Sequence, residues 1–489
     1  MKEPAYISFA NKLAKMIDEG TFKQGEKLPS LRSLHKKKGL SIGTILQSFN
    51  YLIDKGIVIS REKSGYYVNE NFAKRLPLPQ VLPVSLSERG VHIDQLLQKI
   101  PVDRTSKTFV SFANALPDNR LLPFNSIKRA IQQTSRDVSG SYLSLESRHG
   151  NKLLCEEIAK RSMHWKGSVH ANEIIITNGA TEAILCCVKA VTQPGDTVLV
   201  QEPCFFGIMQ ILECLGLKIA TIPSHPETGI SAETIKEACQ RLTIKACIFV
   251  SNFNNPDGAS ISTEQKKQIA ELAHTLHLPI IEDDIYGDLF FNGGRPDIIK
   301  TYDQDGWIMY CSSFTKTLAP GFRIGWAAAG RFAYDVARIK SMLNHSTSSF
   351  SQRVILELLT TGVLERHLQK FRLEMQKNQN RFVAIIEKYF PLGTKVTQPG
   401  GGIYLWVELP SAINTSDFLE KAFEHDISYA PGEIFSSKSE YKNYIRLSYS
   451  KLWEDKAEKA LIKLGKLLDA ALVENARRII SKTYYKNVI

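Results

Sequence analysis

This chain of 489 residues lacks the features that mark a membrane or secreted protein. No apolar run approaches the roughly 20 residues needed to cross a bilayer. The N-terminal segment carries Lys2, Glu3, Lys12 and Lys15, where a signal peptide needs an uninterrupted apolar core. We therefore expect a soluble, cytoplasmic protein without a membrane partner.

Cysteine is scarce as well. The chain has 8 cysteines, no two of which form a CxxC pair, and most of them stand in apolar surroundings. This distribution argues against a disulfide framework and against a cysteine-bound metal. We expect buried free thiols and no metal site.

What the chain has in quantity is length, core-forming residues and positive charge. Its 489 residues predict about three packing units, and its 43% of hydrophobic residues excludes a disordered chain. The net charge is +12, and residues 1–76 alone hold 14 Lys and Arg against 7 Asp and Glu. This local excess predicts a polyanionic partner, although a solvated basic face would leave the same pattern.

Residues 1–71 predict three helices followed by a hairpin. Apolar residues recur at helical spacing from Ile7 to Glu19, a short helix follows Pro29, and Ser41 is suited to cap a third helix. Residues 57–60 and 66–68 then alternate as two short strands around Gly65. This order indicates a winged helix-turn-helix domain, although helical hairpins in bundles share part of the pattern.

The third helix is suited to a DNA major groove because its outward positions are small or can form hydrogen bonds. We expect the exposed positions to be Ser41, Gly43, Thr44, Gln47 and Ser48, and the phosphate contacts to come from Arg32, Lys36, Lys37, Lys38 and Lys63. The sequence of this stretch closely resembles the GntR family of bacterial repressors. The resemblance lies in GEKLPSLR at 25–32, SIGT at 41–44 and LIDKGIV at 52–58. The resemblance implies that Arg32, Thr44, Gln47 and the wing residue Gly65 lie at the DNA.

Residues 72–107 are predicted to connect this DNA-binding head to the rest of the chain. Prolines at 77, 79 and 83 resist helix formation and favour an extended chain. A linker of this length would let the head sit away from the body or over a partner subunit.

The body alternates strand-like and helical runs from about residue 170. Strand-like runs lie at 173–177, 197–200, 217–220, 246–250, 279–282 and 307–310. Continuous β-branched runs separated by helices predict an α/β fold with a mostly parallel sheet covered on both faces. In such sheets, ligands collect at the carboxyl ends of the strands.

Polar and aromatic motifs follow these predicted strands. NGAT at 178–181 offers backbone N–H groups at a helix start, and EPCF at 202–205 places Phe205 where it can stack on a flat heterocycle or pack in the core. SNFNNPDG at 251–258, EDDIY at 282–286 and SSFTKTLAPGFRIGW at 312–326 complete the series. Together with PGGGIYLW at 399–406, APG at 430–432 and IRLS at 445–448, these motifs resemble the pyridoxal 5'-phosphate (PLP) aminotransferases of fold type I, class I/II, across roughly residues 108–470.

The resemblance implies a role for each matching residue. Lys316 would form an internal aldimine with PLP, Asp283 would keep the pyridine nitrogen protonated, and Tyr286 would join Lys316 and Asp283 as the catalytic set. Arg446 would bind a substrate carboxylate, and Asp284 would face outward or cap the next turn. The remaining PLP contacts would come from Gly179, Ala180, Thr181, Phe205, Asn255, Ser313 and Arg323.

The resemblance also implies a division of the body, with local departures from the family pattern. A large domain would span about 170–340 and a small lobe 108–169 and 341–475, with a C-terminal extension at 476–489. Ala115 stands where the family has a glycine, and the usual tyrosine shortly before Gly150 is missing. Tyr142 could supply a phosphate contact from a neighbouring subunit. These departures leave the amino compound undefined.

A GntR-like head joined to an aminotransferase-like body resembles the MocR subfamily of transcription regulators. The resemblance implies a homodimer that binds operator DNA and senses an amino compound or PLP through the aldimine at Lys316. The alternative is an active amino acid transaminase with an accessory DNA-binding head. A head that binds a protein or a membrane surface would fit the charge but not the wing and third-helix residues.

Overall fold

The computed structural model describes residues 4–18, 20–23, 25–54, 57–61, 64–69, 76–91, 108–137 and 139–486. Its N-terminal unit, the head, contains three helices and one antiparallel hairpin: α1 (Ala5–Asp18), α2 (Leu31–Lys38), α3 (Ile42–Asp54), β1 (Val58–Arg61) and β2 (Gly65–Val68). The predicted winged helix-turn-helix is confirmed.

Local signals in the sequence set the boundaries of the head helices. The Ser30 Oγ accepts a hydrogen bond from the Ser33 backbone N–H at the start of α2, and Gly39, with φ of 68°, ends that helix. The Ser41 Oγ accepts from the Thr44 backbone N–H at 3.0 Å and caps α3. The head core is apolar and is formed by Ala10, Leu13, Ile45, Phe49 and Leu52, among others.

Ser48 on α3 differs most from the expectation that it is exposed. Ser48 is buried, not exposed, and its hydroxyl donates to the carbonyl oxygens of Tyr6 at 2.8 Å and Thr44 at 2.9 Å. These bonds let a small polar residue lie against α1 in an apolar interior without an unpaired donor.

Residues 76–91 of the connector lie extended on the body. The Val396 N–H donates to the Pro77 carbonyl oxygen at 2.9 Å, and Arg89 exchanges two backbone hydrogen bonds with Ile219. Val91 is buried in the body's core, and Leu76, Leu82 and Leu86 pack against other core clusters. The chain is extended, as its prolines predict, but this part of it is packed and is not a free spacer.

The body is built from strands and helices that alternate along the chain. Its strands are β3 (Val110–Ser111), β4 (Ile174–Thr177), β5 (Thr197–Glu202), β6 (Lys218–Pro223), β7 (Ile244–Val250), β8 (Ile280–Asp283), β9 (Ile308–Ser313), β10 (Gly325–Ala328), β11 (Lys395–Val396), β12 (Tyr404–Glu408), β13 (Ile427–Ser428), β14 (Ala430–Pro431) and β15 (Tyr444–Ser448). Its helices are α4 (Phe124–Ser135), α5 (Lys152–Arg161), α6 (Ala180–Val191), α7 (Phe206–Cys214), α8 (Ala232–Arg241), α9 (Thr263–Leu276), α10 (Ala333–Asn344), α11 (Ser349–Thr360), α12 (Val363–Tyr389), α13 (Thr415–Glu424) and α14 (Asp455–Lys486).

The central sheet has seven strands in the order β4-β10-β9-β8-β7-β5-β6. Strands β9, β8, β7, β5 and β6 pair in parallel, whereas β10 is antiparallel to both β4 and β9. Apolar residues of α6, α7 and α10 cover one face, and those of α8 and α9 cover part of the other. The predicted α/β fold with a mostly parallel sheet is therefore confirmed.

A second, antiparallel sheet in the order β11-β12-β15-β14 lies in the C-terminal part of the body, and β13 pairs with β3 in parallel. The pairing of β3 with β13 brings chain from before and after the large sheet together. Helix α14 runs through residue 476, where a C-terminal extension was expected, to Lys486. No helix in the described parts of the chain is long and apolar enough to cross a membrane.

Candidate functional site

The predicted cofactor residues meet in one chamber at the carboxyl ends of the parallel strands. Strands β5, β7, β8 and β9 run in parallel, so the loops that follow them lie at the same edge of the sheet. A cavity of about 360 Å³ opens there, and β15 brings Arg446 to its wall. Nine residues predicted from the sequence line it: Ala180, Thr181, Phe205, Asn255, Tyr286, Ser313, Lys316, Arg323 and Arg446.

Lys316 projects its amine into this chamber. The Nζ donates to the Ala115 carbonyl oxygen at 2.9 Å, which places the Ala115 segment opposite the lysine. Burial and the nearby Arg446 guanidinium lower the pKa of Lys316 to about 8. Near physiological pH a larger fraction of this amine is therefore neutral than in an ordinary lysine, and the neutral form is the nucleophile.

Asp283 ends strand β8 beside Lys316 and is buried. One of its carboxylate oxygens accepts the Ile285 backbone N–H at 3.3 Å. Burial and the neighbouring Asp284 carboxylate raise the pKa of Asp283 to about 7. A buried carboxylate of this kind is stabilised by a cationic group, such as a protonated ring nitrogen.

Arg446 and Asn255 form the polar wall of the chamber. The Arg446 guanidinium donates to the Asn255 Oδ1 at 2.9 Å and to the Ala113 carbonyl oxygen. Its Nε and the Asn255 Nδ2 are buried and have no partner among the described residues. Two unpaired buried donors in one cavity are costly unless a ligand with acceptor oxygens occupies it.

Phe205 and Tyr286 line the same chamber, and Tyr404 contacts Tyr286. The Tyr286 and Tyr404 hydroxyls are 2.5 Å apart, and the Arg446 guanidinium lies 4.7 Å from the Tyr404 ring centroid. Phe205 precedes α7 and packs against Phe206 at 4.6 Å between ring centroids. Tyr404 was not predicted as a site residue, and its position after three consecutive glycines was the available signal.

The other end of the chamber is suited to a phosphate group. Helix α6 points its N-terminus there, and Gly179 precedes it with φ of 85°. A Cβ at Gly179 would collide with the Arg323 guanidinium, which donates to the Asn178 carbonyl oxygen and the Thr315 Oγ1, each at 3.2 Å. Backbone N–H groups at a helix start and a guanidinium together form an anion site. Thr315 was not predicted.

Asp284 does not face outward, as the sequence analysis expected, but is buried. It forms an ion pair with Arg295 at 2.5 Å and accepts a hydrogen bond from the Asn252 Nδ2 at 2.9 Å. Arg295 is thirteen residues before β9 begins, so no local pattern reveals it as the partner. Asp284 therefore belongs to a charge network behind Asp283 and does not cap the turn.

In the head, the predicted DNA contacts that are described lie on α2, on α3 and at the start of β2. Arg32 and Gln47 are exposed, and Gly65 begins β2. Thr44 is half-buried, and its hydroxyl lies 2.8 Å from the Ser41 Oγ, so it takes part in the helix cap. Lys63 lies outside the described residues.

The fold and the two sites define the class of protein. A winged helix-turn-helix head is joined to a fold type I body whose chamber holds a lysine, a buried carboxylate and an anion cradle. Residues 6–68 match the family model of bacterial regulatory proteins of the gntR family, and residues 113–464 match that of aminotransferase class I and II.

Curated relatives combine the same two parts. The HTH-type transcriptional regulator YdcR of Escherichia coli (strain K12) is 33% identical over 96% of this chain and 99% of its own. NorG, an HTH-type transcriptional regulator of Staphylococcus aureus (strain USA300), is 27% identical over 90% of this chain and 98% of its own. The chain belongs to the aminotransferase class I and II family, as a member of the MocR kind with a GntR head.

A solved structure shows the same body fold. The kynurenine aminotransferase of Pyrococcus horikoshii, solved in complex with PMP, is 27% identical, with a TM-score of 0.72 over 78% of this chain and 95% of its own. PLP is the cofactor of this body. The residues present fit it: the cradle at α6, the buried Asp283, the Lys316 amine and the unpaired donors of Arg446 and Asn255.

Proposed function

We propose that this protein is a PLP-dependent, DNA-binding transcription regulator whose chamber senses an amino compound or PLP itself. The observation that carries the proposal is the presence, in one chain, of a complete cofactor chamber and a head whose third helix is exposed on one face. The relatives named as HTH-type transcriptional regulators, matched over nearly their whole length, support the same conclusion.

Different residues of the chamber are suited to bind different groups of the cofactor and of the amino compound. PLP, when bound, supplies an aldehyde that condenses with primary amines and a ring that withdraws electrons. Lys316 provides a primary amine, Asp283 can hold a proton at the position that faces the ring, and Phe205 can stack on it. Arg446 offers a planar pair of donors for a carboxylate, which favours amino acids among the possible amino compounds.

Sensing requires that the body has two arrangements with different affinities for the amino compound. The compound then shifts DNA binding by the difference between its binding free energies in the two arrangements. The segment that leads to the head includes residues 76–91, which contact both the seven-stranded central sheet and the second, antiparallel sheet of the body. A conformational change in the body therefore acts directly on the segment that leads to the head.

We also propose that the protein is a homodimer. Leu143 and Leu145 are 80% and 83% exposed in a segment that packs on α11, and Phe124 is 69% exposed at the start of α4, which packs on the same helix. A surface with several exposed apolar side chains close together is suited to pack against a second copy of the chain. Two heads would then bind paired half-sites. Replacing Leu143 and Leu145 with Asp should convert a dimer to a monomer in sedimentation analysis.

A second candidate function is transamination, because Lys316, Asp283 and Arg446 meet in one chamber. One paired experiment separates the two. The holoprotein is titrated with amino acids while the visible absorbance of bound PLP is followed and oxo-acid product is measured. In parallel, DNA upstream of its own gene is footprinted with and without PLP. Specific protection that changes with PLP or amino acid supports the regulator, whereas multiple turnovers without specific protection contradict it.

A further inference from the structure

The exposed face of the recognition helix α3 carries no positive charge. The helix spans Ile42–Asp54 and contains neither arginine nor lysine. Five residues face solvent at positions that share one side of a helix: Ile42, Gly43, Leu46, Gln47 and Asn50. Ile42 and Leu46 are 45% and 38% exposed, so this face is partly apolar.

Gly43 lies on this same face without a structural reason inside the protein. Among the described residues, a Cβ there would meet only the Ser41 Oγ, at an ordinary 3.8 Å, and Gly43 does not have a positive φ. Glycine inside a helix costs about 0.5–1 kcal/mol relative to alanine. A glycine that the fold does not need leaves room for an external surface to approach the backbone.

Exposed cations stand on α2 and β1, the elements that precede and follow α3 in the chain. Lys36, Lys37 and Lys38 are exposed in the last turn of α2, immediately before the turn that leads into α3. In the hairpin region, the Arg61 guanidinium lies 4.5 Å from the Tyr67 ring centroid. This distribution suits phosphates on either side of a groove and uncharged base edges in its floor.

We propose that α3 reads A·T base pairs, with Ile42 and Leu46 contacting thymine C5-methyl groups and Gln47 pairing with an adenine. The inference rests on the proposed DNA-binding function and names its base preference. Guanine is read mainly by arginine or lysine, and α3 has neither. The major-groove edge of adenine suits an amide side chain, and the thymine methyl is the apolar group on a base edge that Ile42 and Leu46 can cover.

The proposal is tested by removing single methyl groups from the DNA. Sites are first selected from a random duplex library with the full-length holoprotein, and each thymine is then replaced by deoxyuridine. We expect A·T pairs at the positions that α3 protects and a loss of about 4-fold in affinity for each contacted methyl. Unchanged affinity at every thymine would overturn the proposal.

A double-mutant cycle assigns the methyl contacts to side chains. Leu46→Ala should weaken binding to the duplex that contains thymine. At one thymine position, replacement by deoxyuridine should then no longer change the affinity of this variant. Ile42→Ala should show the same behaviour at a different thymine position. Met16→Ala, at a residue of α1 that is 39% exposed, is the matched control and should keep full methyl sensitivity. Equal methyl sensitivity in all three variants would contradict the assignment.

Gly43→Ala gives a test that does not depend on losing a contact. The substitution should raise the unfolding temperature of the head and at the same time weaken specific DNA binding. If the variant is more stable and binds DNA as before, the close approach at Gly43 is wrong. If no sequence is protected by the parent protein, the proposed function itself fails, whereas a specific site that is insensitive to its methyl groups contradicts only this inference.

Discussion

The head and the body recognise their ligands with opposite arrangements of charge. In the described part of the head, Ser48 is the one buried polar side chain, and the recognition face of α3 is neutral between exposed cations. The body instead buries ionisable groups, among them Glu202, Glu282, Asp283, Lys340 and Arg446. In the head, an apolar core is enough to support a DNA-binding surface that faces water. In the body, the chamber for a charged cofactor needs ionisable side chains in its interior, and burial shifts the pKa values of such side chains. Five substitutions, at Lys316, Phe49, Glu202, Arg32 and Gln47, test this comparison.

The largest effect is expected in the chamber. Lys316→Ala removes the amine that faces the cavity, so the visible absorbance of covalently held PLP should disappear completely. Lys340→Met is the matched control, because Lys340 is buried, its Nζ has no hydrogen-bond partner in the part of the chain that the structure describes, and it does not line the chamber. Absorbance spectra of both variants after incubation with PLP make the comparison. A covalent PLP adduct in Lys316→Ala would place the site elsewhere.

The next effect is expected in the head core. Phe49 is fully buried, and Phe49→Ala should destabilise the head by about 3–5 kcal/mol. A domain of this size has roughly 3–10 kcal/mol in total, so DNA binding should be lost while bound PLP stays. Calorimetry and absorbance measure the two regions separately, and Met16→Ala, at an exposed position of α1, is the control. Loss of PLP from the Phe49 variant would show that the two regions do not fold independently.

A smaller effect is expected at Glu202, which ends β5 beside Arg89 of the connector. Burial raises the pKa of the Glu202 carboxyl from 4.5 to about 7, against a smaller lowering effect of the nearby Ser436 hydroxyl. The folded protein therefore binds this proton more tightly than the unfolded chain, so stability falls as pH rises from about 4.5 to 7. Glu202→Gln should raise the free energy of unfolding by up to about 3 kcal/mol at pH 8 and change it little at pH 4.

Urea unfolding of the holoprotein at the two pH values measures this difference. Glu237→Gln, at an exposed glutamate of α8, is the control. Glu282 and Asp257, whose pKa values burial also raises, act in the same direction, so some pH dependence should remain in the Glu202 variant. An equal loss of stability from pH 4 to pH 8 in the parent and the variant would exclude Glu202 as a contributor.

The smallest effect is expected at the DNA backbone. Arg32→Ala should weaken binding to all sequences alike by a few-fold and reduce the slope of log affinity against log salt by about 1. Gln47→Ala should instead change the relative affinities of different sequences. Binding to selected and scrambled duplexes at several salt concentrations separates the two. A change of base preference in the Arg32 variant would contradict a phosphate contact.

The sequence predicts the parts of the fold and of the site that depend on residues close together in the chain, and it misses contacts between residues that are far apart in the chain. The head helices, the parallel strands and the order of the chamber motifs follow from local periodicity and from motif spacing, and the structure agrees with them. Asp284 and Ser48 were placed on the wrong side because their partners, Arg295 and the Tyr6 carbonyl, come from other elements. Tyr404 was missed for the same reason: its partner Tyr286 is 118 residues away. Periodicity reports which face is buried, but not which distant group satisfies a polar atom there.

The contact of the connector with the sheet has a further consequence. Strand β6 is at the edge of the seven-stranded sheet, where unpaired N–H and C=O groups can pair with another chain. The two hydrogen bonds between Arg89 and Ile219 occupy part of that edge, and Lys218 adds a charge beside it. The segment that joins the head to the body therefore also covers part of an edge at which another chain could pair.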